Sequence, residues 1–346
     1  MFYFDYSATS PTDEEILNEF LNNTDNKNIN INDEKKKIQK LLNTNLDVIY
    51  TSGSTESNNL AIKGILLKYI NDGKKHHIIT TELEHSSIIE QMKYFSNKNF
   101  IIDYVNLKDG IVDLDSLKSL ITEDTVLVSI CSVNSETGVL QPIDEIGKIL
   151  KDYPNIVFHS DMTQSMGKVN VKLDNVDLVS FSAHKFYGIK GIGCLLKRKN
   201  LKLEKIVFGN KKLPLGLINS LGNALEKVLK DLDKKYNYVL ELSNMLKNSI
   251  KDFPNITINS NEHSIPHILN ISVNNYKPET FLHTLELYGI YISTKSACSS
   301  KEPFSKAVYA VTNDMDKAKT SIRISISFHT KKEDILFLIK VLTNLK

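Results

Sequence analysis

The sequence predicts an α/β protein built on a large, mostly parallel sheet, with a smaller α+β unit after it. Three observations predict this. Short apolar runs recur through residue 197, amphipathic segments stand between several of them, and beyond residue 251 the texture changes. The runs are 47–52 (DVIYTS), 76–81 (HHIITT), 100–105 (FIIDYV), 125–133 (TVLVSICSV), 156–161 (IVFHSD), 176–182 (VDLVSFS) and 193–197 (GCLLK), and all seven read as buried strands. Helical spacing of apolar residues marks 56–70, 113–121 and 143–153. Strand and helix in alternation mean parallel strands joined by crossovers, with helices covering both faces of the sheet. A long helical stretch from about Leu215 to Lys251 leads into the second unit. There 267–273 (HILNISV) and 321–327 (SIRISIS) read as strands, and 331–342 (KKEDILFLIKVL) as a closing helix. The polar stretch 22–37 reads as a surface loop running into a helix.

With 346 residues, 41% of them hydrophobic and 24% charged, the chain is long enough for a large core and two domains. Its formal charge of +2 calls for neither nucleic acid nor an anionic membrane as partner. The opening MFYFDYSATS lacks a basic segment leading into a long apolar one. No apolar run approaches the roughly 20 residues that span a bilayer, so a cytoplasmic protein is expected. The three cysteines, Cys131, Cys194 and Cys298, are an odd number without paired spacing, which argues against a disulfide framework and against a metal site.

Ligands of open parallel sheets gather at the carboxyl ends of the strands. After the first run come Gly53, Ser54 and Thr55 at the start of a helix, where backbone N–H groups and hydroxyls form either a phosphate cup or an ordinary N-cap. His85 follows the second run, a position that suits a satisfied histidine as well as a functional one. Asp161 ends the strand 156–161, where a carboxylate is costly to bury unless something cationic meets it, and Gln164 follows one turn later. Ser182, His184 and Lys185 follow the strand 176–182, in a loop carrying three glycines. Phosphate donors, a carboxylate, a flanking histidine and an amine are the parts needed to hold pyridoxal phosphate (PLP), whose ring nitrogen must stay protonated to act as an electron sink.

Seven segments in order along nearly the whole chain resemble the cysteine desulfurases, fold-type I PLP enzymes of the class V aminotransferase family. They are YFDYSATSP, TSGSTESNNLAIKG, VNSETGVLQPI, HSDMTQSMGK, SFSAHKFYGIKGIG, SACSS and SIRISI. The resemblance implies a large PLP-binding domain over 15–235 with a seven-stranded sheet, a small domain over 236–346, and an N-terminal segment, 1–14, packing with the small domain. It implies that Lys185 forms the Schiff base and moves protons, that Asp161 pairs with the pyridinium nitrogen, and that His85 stacks on the ring. Gln164 would hydrogen-bond the phenolic oxygen, and Ser54, Thr55, Ser182 and His184 would bind phosphate. Arg323 would clamp the substrate carboxylate, with Asn134 beside it. The alternation in SIRISIS sets Arg323 on the side away from the isoleucine core, a placement that an ordinary strand-face arginine shares.

Cys131 and Cys194 lie inside apolar runs and read as small core residues, whereas Cys298 sits among small polar residues near Lys295 and Lys301, a setting that favours thiolate. By resemblance Cys298 accepts sulfur from L-cysteine, releasing L-alanine, and passes it from a persulfide to an acceptor protein. A selenocysteine lyase, another class V lyase or aminotransferase, and a weakly active PLP-binding scaffold for sulfur transfer are the alternatives. A homodimer is implied, and neither nucleic acid nor membrane is.

Several departures from the family pattern cluster at the rim of the site. Ser135 stands where the family commonly has a second asparagine, a Gly-Asn-Pro-Ser loop near the N-terminus is missing, and the loop of Cys298 is shorter. An arginine-rich segment is also missing; Lys212 falls about where a partner subunit's threonine would complete the phosphate site, and it is either a replacement donor or a solvated lysine beside Lys211. The shortened loop predicts that Cys298 stays near the mouth of the site and that the acceptor docks closely over it.

Overall fold

The computed structural model describes residues 1–23, 29–209, 214–274, 276–294 and 303–345. All seven apolar runs form strands of one sheet, in the order Asp47–Thr51, Gly193–Lys197, Leu178–Ser182, Val157–Asp161, Thr125–Ser129, His76–Thr80 and Phe100–Tyr104. The strand Gly193–Lys197 pairs antiparallel with both neighbours, and every other pairing is parallel. Side chains on both faces are buried, Val179, Phe181, Leu178 and Leu195 among them, as expected of a sheet covered by crossover helices.

The fourth run is longer in sequence than in structure. Its strand stops at Ser129, although Ile130, Cys131 and Val133 remain buried. Val133 packs instead with Ile265 and Ile268 of the C-terminal part, so its apolar character belongs to a different contact. The helical stretch after Pro214 is two helices, Leu215–Leu229 and Leu232–Ile250, broken where Asp231 takes a left-handed conformation at φ 54° that aspartate tolerates better than most residues. The helix expected at the end of the polar stretch 22–37 is Ile31–Leu41, capped by Asn30, and helix Glu14–Asn23 precedes it.

A second core lies around a small antiparallel sheet of Ile256–Ile258, Ile268–Val273 and Ser321–Ser325. Leu269, Ile271, Ile322 and Ile324 face the helices Leu232–Ile250 and Lys332–Asn344, in the period-two alternation of a strand. Each such fully buried side chain is worth about 1.5–3 kcal/mol. The N-terminus belongs to this core as well, for Phe2–Tyr3 pairs in parallel with Ile290–Tyr291, and Phe4 is fully buried there. From Asp5 onward the segment crosses toward the large sheet: Ser7 N still donates to Ser325 Oγ of the small sheet, whereas Ser10 donates N–H and hydroxyl to His184 O.

Candidate active site

The carboxyl ends of the parallel strands and the polar face of the small sheet enclose a cavity of about 270 Å³. Its floor is set by backbone. Lys185 closes a short 3-10 turn, Ala183–Lys185, that leaves the strand Leu178–Ser182. Buried Phe186 anchors the turn beneath, and Ser10 Oγ accepts Tyr187 N at 2.6 Å. Lys185 Nζ is thereby aimed back across the sheet edge, where it donates to Ser7 O and Ala8 O at 2.7 Å each.

Asp161 ends the neighbouring strand and is buried, meeting two neutral donors: Asn58 Nδ2 at 2.8 Å and Thr163 N at 2.9 Å. Neutral donors hold a carboxylate in place without cancelling its charge, so Asp161 is prepared for a cationic group in the cavity. Gln164 donates from Nε2 to Ser7 O at 2.9 Å. His85 caps the helix Ser86–Ser96; its Nδ1 accepts Ser87 N, which leaves the proton of the neutral ring on Nε2. Burial lowers the His85 pKa, and the Lys185 charge adds to this, while Asp161 and Glu136 oppose it.

Next to this cavity, and sharing Ala8, Ser54, Thr55 and His184 with it, is a more open one of about 500 Å³ that also touches Ser182 and Lys190. The first turn of helix Ser54–Leu66 faces it, with amides that have no acceptor inside the helix. Gly193 makes this arrangement possible. A Cβ there would lie 2.6 Å from Gly53 Cα, so only glycine lets the loop before the helix rest against the strand. His184 Nδ1 lies 3.3 Å from Thr9 Oγ1, and burial followed by the charges of Lys185 and Lys190 pulls its pKa down to about 4, making it a neutral hydrogen-bonding group.

Arg323 closes the cavity from the other side. It does lie opposite the isoleucines, but that face is not open surface: the side chain is only 1% exposed, packed between the two sheets. Nη2 pairs with Asp5 Oδ1 at 2.8 Å and Nη1 donates to Ser135 O at 2.9 Å, while Nε is buried without a partner among the described residues. Asn134 is placed differently from the expectation. Its Oδ1 accepts from Glu136 N, Thr137 N and Thr137 Oγ1, and its Nδ2 donates to Leu83 O, so its oxygen and one N–H brace its own turn. Ser135, one residue on, lines the cavity instead.

Cys194 is a core residue, as read from the sequence. Cys131 is buried too, but it lines the cavity, and burial with the charges of Glu84 and Asp161 raises its thiol well above the ordinary range. Cys298 and Lys212 lie outside the described residues, as do Lys295 and Lys301. Sequence reasoning missed Ser7, Asn58 and Lys168. For Asn58 a signal existed: it stands four residues after Ser54 and so shares its helix face.

A lysine amine, a buried carboxylate on neutral donors and a donor-rich annex together suit the amine, ring nitrogen and phosphate requirements of PLP. The sequence model of the family Aminotransferase class-V matches residues 2–214 and 213–338. The chain belongs to the class V aminotransferase family. Within it, the chain is similar to cysteine desulfurase IscS of Buchnera aphidicola subsp. Baizongia pistaciae, 36% identical, covering 98% of this chain and 91% of that one. It is also similar to the mitosomal cysteine desulfurase of Trachipleistophora hominis, 35% identical, covering 95% of this chain and 82% of that one. Among solved structures it resembles a NifS-like protein with a TM-score of 0.92 at 29% identity, over 99% of this chain and 98% of the other. In this class V chain Asp161 ends one strand of the mostly parallel seven-stranded sheet and Lys185 lies in the turn that follows the adjacent strand. Among the described residues no helix is long and apolar enough to cross a membrane.

Proposed function

We propose that this chain is a PLP-dependent cysteine desulfurase that converts L-cysteine to L-alanine and passes the sulfur to an acceptor protein. The observation that carries the reading is the convergence of Lys185, Asp161, Gln164 and His85 on one cavity closed by Arg323. When bound, PLP supplies an aldehyde for the substrate amine and a ring that withdraws electrons from Cα. Lys185 Nζ would supply the amine that holds the aldehyde, and it would take up and return the Cα proton of the substrate. Asp161 keeps the ring nitrogen protonated through its uncancelled charge. His85, whose Nδ1 accepts Ser87 N, would lie against the ring, and Gln164 would donate to the ring oxygen. Ser54, Thr55, Ser182, His184 and the helix N-terminus hold the phosphate, with Lys212 as a further donor. Arg323 binds the substrate carboxylate.

The Cys298 thiolate would attack the substrate sulfur, a Cys298 persulfide forming as the Cβ–S bond breaks with its electron pair left on Cβ; a proton at Cβ and the return of the Cα proton from Lys185 would complete alanine. The persulfide then passes to an acceptor. Val207 and Phe208 expose their side chains close in sequence to Lys212, apolar surface of the kind a second copy of the chain covers in a homodimer.

The test is turnover of L-cysteine by PLP-loaded protein with a thiol reductant, followed as alanine and sulfide, with borohydride reduction of the loaded protein beforehand as a parallel arm. Equal amounts of alanine and sulfide, and a pyridoxyl group fixed to the peptide containing Lys185, are expected. A protein that cannot be loaded with PLP, or one that is loaded and yields no alanine, overturns the proposal.

A further inference from the structure

Four residues beyond Gln164 lies a cation for which the reaction above has no role. Lys168 is 7% exposed, and its Nζ donates to Gln164 Oε1 at 2.7 Å. The other end of that amide donates from Nε2 to Ser7 O at 2.9 Å, the carbonyl that also accepts Lys185 Nζ. An amide nitrogen carries two N–H donors and the oxygen none. With Oε1 tied to Lys168 and one N–H on Ser7 O, the second N–H is left for the cavity that Gln164 lines. A flipped amide would set its oxygen against Ser7 O, acceptor on acceptor, and its nitrogen against the donor Lys168.

The surroundings give Lys168 no structural reason to be buried as a cation. It forms no ion pair among the described residues, and the charged groups acting on it are Lys185 and Arg323, both positive. His267 is buried as well, with Nδ1 unpartnered among the described residues and a pKa drawn down to about 3 by burial and by the Lys168 charge. Burial, then the Lys185 and Arg323 charges, lower the Lys168 pKa to about 7.

We propose that Lys168 is a positioning residue that acts through Gln164, fixing the amide with its N–H side toward the ring oxygen of the bound cofactor. The proposal rests on the cofactor reading above. Its test is a double-mutant cycle on PLP-loaded protein, with Lys168→Met, Gln164→Met and the double variant. Two quantities are read: the pH midpoint of the visible absorbance band and the PLP dissociation constant. Each single variant is expected to move the midpoint by about half a pH unit or more and to weaken PLP binding about threefold to tenfold. The double variant is expected to go no further than Gln164→Met alone. An unchanged midpoint and affinity in Lys168→Met, or a fully additive double variant, overturns the proposal. Where thermal unfolding shows Lys168→Met to be unfolded, the cycle is run with Lys168→Gln, whose polar amide stops about one bond short of Gln164 Oε1. Wild-type protein that takes up no PLP overturns the cofactor reading itself, whereas the cycle overturns only the role of Lys168.

Discussion

The floor of the cavity, from Asp161 across to Lys185, hangs on adjacent strands of one sheet, whereas Arg323 reaches the cavity from the small sheet and is held there by Asp5 and Ser135 O. The difference is one of chain distance as well as of layer. Asp161 and Ser180 are register partners in one ladder, but Arg323 and Asp5 are 318 positions apart and meet only when the N-terminal segment crosses between the two cores. Ladder hydrogen bonds fix the floor before any ligand arrives, so its contribution is to chemistry. The Arg323 side depends on how two separate units pack, so its contribution is to binding. Floor variants are therefore expected to act on kcat and Arg323-side variants on KM.

The largest effect tests the floor. Asp161→Asn keeps the shape and one of the two acceptor oxygens, with Oδ1 still able to accept Thr163 N, and removes the charge that in the proposed function holds the ring nitrogen protonated. Its kcat is expected to fall on the order of 10²–10³-fold with PLP retained, the range seen when one group that stabilises developing charge is removed. Steady-state kinetics check this, and a change confined to KM would break the division between the two sides.

The intermediate effect tests Arg323. Arg323→Lys exchanges a planar fork for a point charge and leaves Asp5 less well matched, so KM for L-cysteine is expected to rise about 10–100-fold with a smaller change in kcat. Asp5→Asn leaves the guanidinium in place with a neutral acceptor, and a rise of about threefold to tenfold is expected. The two variants measured together sharpen the comparison. If Asp5→Asn lowers kcat and leaves KM alone, the N-terminal crossing serves the floor.

The two regions were also unequally legible in the sequence. Strand ends with Asp161 and Lys185 could be read because a buried parallel strand announces itself as an apolar run, and its carboxyl end is where such folds bind. The run 125–133 misled at its far end, because burial of Val133 against Ile268 has the same hydrophobic signature as continued pairing. For Arg323 the alternation gave the face of the strand but not what covers that face, which only the packing of the two sheets decides. Asn134 was assigned by the family resemblance, while the structure uses its carboxamide to brace a turn, a use open to any asparagine ahead of two free amides. Lys168 was hidden for the opposite reason, since a lysine is read as solvated unless its partners are known.

The smallest effect concerns a buried carboxyl behind the floor, bonded to the cavity-lining residue Cys131, that does no chemistry in the proposal. Glu84 is buried, with Oε1 accepting from Thr81 Oγ1 at 2.7 Å and Cys131 N at 2.8 Å, and with Oε2 buried and unpartnered among the described residues. Burial raises its pKa from the ordinary 4.5 to about 8, the two hydrogen bonds opposing and the Asp161 charge adding to the rise. The folded protein therefore holds a proton there that the unfolded chain has released. Such a group contributes stability that is complete below pH 4.5 and is lost as pH rises toward about 8, because in that window the native state binds the extra proton. Glu84→Gln keeps the oxygen that accepts from Thr81 and Cys131 and cannot ionise. Its unfolding temperature is expected to change less between pH 5 and pH 8 than that of the wild type, by about 2–4 °C. Thermal unfolding at the two pH values measures this directly. Parallel slopes would mean that Glu84 is ionised in the folded protein, and Asp161 of the floor would then have a second buried negative charge, Glu84, behind it.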